Sequence, residues 1–147
     1  MSTTTLTDLT KEAPRSPRTR IGGYAVLARA IDKARADLAG KAGEYHYDCP
    51  LDNYLFGFKG ITGDIFKAQV ETGADDAAIA KWLNENGTAK SDTEIKEWGD
   101  NAEAYSFADN SEKREWFEGA CKEAGIDPAK STLFDLLEAD DKVTFAK

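Results

Sequence analysis

The chain has 147 residues, 41% of them hydrophobic and 31% charged, the size and balance of one globular domain with a core of its own. No stretch approaches the ~20 apolar residues of a membrane span, residues 1–14 lack the basic-then-apolar pattern of a secretory signal, and Cys49 and Cys121 make neither a disulfide framework nor a CxxC metal pair. Residues 1–41 hold eight Lys or Arg against four Asp or Glu, a net +4, and residues 42–147 hold 11 against 23, a net −12, so the acidic body repels nucleic-acid phosphates and anionic lipid, and a cytoplasmic protein binding neither is expected.

Residues 1–13 are polar and read as a mobile tail, with the fold starting near Arg15. Tyr24, Leu27, Ala28, Ile31, Ala34 and Leu38 recur at helical spacing and lay one apolar stripe along a first helix, whose other faces carry Arg29, Asp32, Lys33, Arg35 and Asp37. Gly40 closes it. Pro50 opens a short helix through Leu51 and Phe58, ended by Gly60. Asp64 to Glu71 follows, with Ile65, Phe66 and Val70 inward and Gly73 as its stop. Ile79, Trp82 and Leu83 give the next stripe within 74–86, closed by Gly87. Ser91-Asp92-Thr93-Glu94 has the spacing of a capping box before Ile95, Trp98, Ala102 and Tyr105. Ser111 caps a further helix with Trp116, Phe117, Ala120, Cys121 and Ala124 inward and Gly125 at its end. Thr132-Leu133-Phe134-Asp135 repeats the capping-box spacing ahead of Leu136 and Leu137. Strand-like alternation is confined to Lys142–Phe145. The expected fold is all-α, a compact single-domain bundle of six or seven short helices over residues 14–147, with Trp82, Trp98 and Trp116 in the core.

Arg-Ser-Pro-Arg, Ile-Gly-Gly-Tyr and Leu-Ala-Arg-Ala-Ile-Asp-Lys-Ala-Arg (15–35), Pro-Leu-Asp and Phe-Lys-Gly-Ile (50–61), the Trp82–Gly87 helix end and Leu-Phe-Asp-Leu-Leu-Glu (133–138) together resemble a bacterial family of small proteins classed as a domain of unknown function. The resemblance spans nearly the whole chain. It implies a single bacterial cytosolic domain and carries over no activity, cofactor or catalytic residue.

Two segments concentrate side-chain chemistry. Glu44 to Asp52 holds the only histidine, one of the two cysteines and two of the five tyrosines. His46 and Cys49 are three apart, so a thiol beside an imidazole, with Glu44 or Asp48 orienting the ring, would make a nucleophile. His46 with Cys49, Asp48 or Asp52 offers metal donors, though the spacing fits no zinc pattern and no metal is expected. Tyr45 and Tyr47 can also wall a ligand pocket with His46 as its polar handle. The plainer reading is structural, with the rings tucked into the domain and Cys49 a small buried residue.

Arg15, Arg18 and Arg20 stand against Gly22 and Gly23 at the mouth of the first helix, an arrangement suited to an anion. Alternatively the arginines pair with acids of the body, for which 27 acidic residues give ample partners. No phosphate loop of the Walker type, GxGxxG, HExxH, GxSxG or EF-hand calcium loop is present, so no cofactor is expected. Two functions remain. One is a small-molecule protein, possible enzyme included, whose arginines and His46 accept an anionic metabolite. The other is a non-catalytic helical module that binds a partner protein through an aromatic patch or its acidic surface.

Overall fold

A computed structural model describes residues 8–43, 45–106 and 112–145. Among the described residues seven helices follow one another: α1 Leu27–Leu38, α2 Pro50–Lys59, α3 Gly63–Glu71, α4 Asp76–Glu85, α5 Asp92–Ala104, α6 Arg114–Ala124 and α7 Leu133–Phe145. Among the described residues the only extended pairing is one bridge between Ile21 and Tyr24. Lys142–Phe145, expected as the one strand-like tail, instead completes α7.

The local signals work as their chemistry requires. Ser91 Oγ accepts from the Glu94 amide at 3.1 Å while Glu94 returns a bond to the Ser91 amide at 3.0 Å. Thr132 and Asp135 exchange the same pair of bonds at the start of α7. The cap expected at Ser111 lies outside the described residues.

The Gly-Gly pair is not at the mouth of a helix. Gly22 and Gly23 both have positive φ, 59° and 87°, and the Ile21 and Tyr24 backbones bond each other at 3.0 and 3.2 Å across them. That is the mirror-image hairpin turn for which glycine is suited. α1 therefore starts at Leu27, later than Tyr24, with Val26 as its left-handed N-cap.

α1 packs on α2, α3 and α4, and residues 27–36 of it are all buried. Arg29, Asp32, Lys33 and Arg35, read from the pattern as lying off the apolar stripe, are only 4–5% exposed. Each meets an opposite charge from a different part of the chain: Arg29 with Asp141 at 2.9 Å, Asp32 with Arg15 at 3.0 Å, Lys33 with Asp52 at 3.0 Å and Arg35 with Asp76 at 3.1 Å. Periodicity marks polar residues but cannot reveal partners up to 112 positions away, and paired charges can be buried where lone ones cannot.

The main core gathers Tyr24, Leu27, Ile31, Leu55, Phe56, Phe66, Ile79, Leu83, Trp98 and Phe134, and a small separate cluster of Phe117, Cys121 and Leu136 joins α6 to α7. Several residues expected inward are not. Leu38 is 37% exposed, Ile65 51%, Tyr105 43% and Trp116 56%. Of the three tryptophans, Trp98 is core, Trp82 packs at its edge, and Trp116 faces out on α6, which among the described residues packs chiefly on α7. The second half of the expected tail is anchored: Leu9 is 1% exposed and its amide donates to Lys41 O at 2.9 Å. Residues 1–7 lie outside the described residues.

Candidate functional site

The three arginines of the first segment are each held by two carboxylates. Arg15 reaches Asp32 at 3.0 Å and Asp76 at 2.7 Å; Arg18 reaches Asp135 and, at 3.1 Å, Glu138; Arg20 reaches Asp100 at 3.0 Å and Glu103 at 2.8 Å. Burial acts to lower the Arg15 pKa, but the hydrogen bonds to Asp76 and Asp32 outweigh it and push the pKa up. Arg15 in turn holds the Asp76 carboxyl below its ordinary range. The segment thus straps the chain across α1, α4, α5 and α7, and its positive charge is neutralised in place.

The Tyr45–Asp52 segment is likewise spent on the fold. Tyr45 donates its hydroxyl to Asp141 at 2.8 Å and lies under the Arg29 guanidinium. Tyr47 donates to Gly63 O at 2.6 Å and packs on Phe56 and Phe66. Burial first, then the neighbouring carboxylates, raise the pKa of both phenols. His46 is exposed, and its backbone oxygen accepts from Lys33 at 3.2 Å. Glu44 lies outside the described residues. The group beside the Cys49 thiol is Lys33, whose Nζ is 3.1 Å from Sγ. Asp52 Oδ2 also accepts from the Cys49 amide, at 3.4 Å, at the start of α2. The described residues hold no group of three or more His, Cys, Asp or Glu placed for a metal.

What sequence patterns left unmarked is an aromatic face on α2 and α5. Leu51, Tyr54 and Phe58 fall at i, i+3 and i+7, outside the buried side of α2 that carries Asp52, Leu55, Phe56 and Lys59. Trp98 of α5 stacks between Tyr54 at 5.1 Å and Phe58 at 5.0 Å, centroid to centroid, and Lys90 sits 4.7 Å above Phe58. Beside Tyr54 a hollow of about 300 Å³ opens, lined by Pro50, Leu51, Ala102, Tyr105, Leu133 and Phe134. Tyr54 is 49% exposed.

A family model described as a domain of unknown function, DUF5069, matches residues 11–143, and so takes in the arginine strap, the Tyr45–Asp52 segment and the aromatic face. The chain belongs to the DUF5069 family. A comparison with curated proteins gave no match. No described helix of this DUF5069 chain is long and apolar enough to cross a membrane.

One further residue of this DUF5069 domain stands out chemically. Lys59, at the end of α2, is 0% exposed, and its Nζ donates to Thr88 O at 2.7 Å, with no carboxylate partner among the described residues. Burial first, and the nearby Lys90 charge second, lower its pKa below the ordinary 10.5. A lysine with a lowered folded pKa costs stability while it is charged in both states, and the cost fades as pH rises from the folded pKa towards the unfolded one. Lys59→Met is therefore expected to be more stable than the parent at neutral pH in urea unfolding, with the gap narrowing as pH approaches 10.5. The tyrosines with raised pKa values weaken both proteins alike in alkali, so the difference between the two is the readout. A less stable variant at neutral pH, or a gap that does not change with pH, would show that the ammonium is not a net burden.

Proposed function

We propose that this chain is a non-catalytic helical module that binds a partner protein through the aromatic face of α2 and α5. The observation that carries this reading is the exposure of Tyr54, 49%, and Tyr105, 43%, around the apolar hollow. Exposed tyrosines beside a concave apolar surface supply large contact area at small entropic cost, as binding hot spots do. The chemistry of the partner follows from charge. Residues 42–147 carry a net −12 and α5 exposes Glu94, Glu97 and Asp100, so the partner presents an apolar side chain flanked by basic residues.

The test places a photo-crosslinking residue at position 54 in cells that produce the protein, with an exposed position of α4, Glu85, as control. The expected result is a cross-linked partner at 54 alone, which then binds the purified chain directly and loses at least tenfold in affinity to Tyr105→Glu, about 1.4 kcal/mol. A partner that binds equally well to Tyr105→Glu, or none at position 54, would reject the face.

The anionic-metabolite reading retains one supporting observation. Arg20, Gly22, Gly23 and Lys96 share a hollow with Asp92 and Ile95. Yet Arg20 and Lys96 both already pair with Asp100, which leaves little attraction for a second anion. Sulfate or phosphate compared with chloride at equal ionic strength should give no specific thermal shift. A shift that Arg20→Gln abolishes would move the functional site to that hollow.

A further inference from the structure

Cys49 is partly exposed and stands as the N-cap of α2, its amide donating to Asp52 Oδ2 at 3.4 Å. Lys33 comes from buried α1 and places Nζ 3.1 Å from the Cys49 sulfur and 3.0 Å from Asp52 Oδ2. The lysine side chain is 5% exposed and the aspartate 0%. Asp52 Oδ1 is buried and accepts no hydrogen bond among the described residues. A primary amine held against a partly exposed thiol stands where it can capture the sulfur once that sulfur is oxidised. The side chain hydrogen-bonded to the sulfur is a primary amine, not the imidazole that the sequence suggested.

We infer that Cys49 and Lys33 form an oxidative modification site, in which a hydroperoxide oxidises Sγ and Nζ then captures it as a reversible sulfenamide cross-link between α2 and α1. In the first step Sγ attacks the peroxide, the O–O bond breaks, and the thiol becomes a sulfenic acid while the peroxide is reduced to water or an alcohol. In the second, Lys33 passes one proton to Asp52 Oδ2, 3.0 Å from Nζ. Nζ attacks Sγ, the S–O bond breaks, and the departing hydroxide leaves as water with that proton. The nitrogen releases one more proton to solvent. The sulfur has lost two electrons, both taken by the peroxide, and a thiol reductant restores the starting pair. This site is independent of the aromatic face and stands or falls separately.

The full chain, reduced and then treated with hydrogen peroxide, should yield on digestion a peptide pair joined through Lys33 and Cys49. The joined pair should lack two hydrogens relative to its separate parts and should part again with dithiothreitol. Lys33→Arg keeps a cation facing Asp52 and lacks the amine. In that variant the cross-link should vanish, and dimedone trapping of Cys49 sulfenic acid should rise at least tenfold over the parent. Mapping the parent's product keeps the test decisive even if the variant folds poorly. Recovery from the parent of only sulfinic acid, only a Cys49–Cys121 disulfide, or unmodified Cys49 would overturn the inference.

Discussion

Lys33→Met is expected to destabilise the fold by about 3–5 kcal/mol, because it strands the Asp52 carboxylate with no countercharge in the interior. Asp52 is 0% exposed and Lys33 is its sole ion-pair partner among the described residues. Asp52→Leu strands the ammonium in the same way. The double variant removes both charges and should recover most of the loss, since a buried pair is often worth little more than apolar side chains of similar volume. Urea unfolding of the four proteins gives the coupling directly. Single losses that simply add in the double variant would mean that the two charges do not act as a pair.

Gly87→Ala should also be severe. Gly87 has φ +70°, and a Cβ there would overlap the carbonyl oxygen of Lys59. That oxygen is fixed by the Thr88 amide at 2.6 Å, and Thr88 O holds Lys59 Nζ. Neither side of the contact can retreat without breaking the junction between α2 and the α4–α5 link. Gly125→Ala is the matched control, with φ +79° and nothing within 4 Å of its Cβ position. Both variants bear the left-handed strain of about 1–2 kcal/mol, and the excess at Gly87 measures the overlap alone. Equal losses in thermal unfolding would show that Lys59 O yields freely.

The sequence was legible wherever the signal is local. Ser91 and Glu94, or Thr132 and Asp135, are three positions apart and cap the helices they were expected to cap. The apolar residues Leu27, Ile31, Phe66, Ile79 and Phe117 are all buried. Legibility failed where the answer depends on a distant partner. Nothing near Arg29 indicates Asp141, and nothing near Cys49 indicates Lys33. The i, i+3, i+7 spacing of Leu51, Tyr54 and Phe58 was present in the sequence, yet it reads the same whether that side of α2 faces a core or solvent. Trp116 and Tyr105 were drawn inward by their type, but a large side chain is buried only if another element arrives to cover it.

The four buried charges of α1 also constrain the order of assembly. Their partners sit at positions 15, 52, 76 and 141, and removing a charge from water before its partner arrives is costly. During synthesis α1 emerges early, but Arg29 must stay hydrated until residue 141 has left the ribosome. The innermost helix of the finished molecule is thus among the last to become dry.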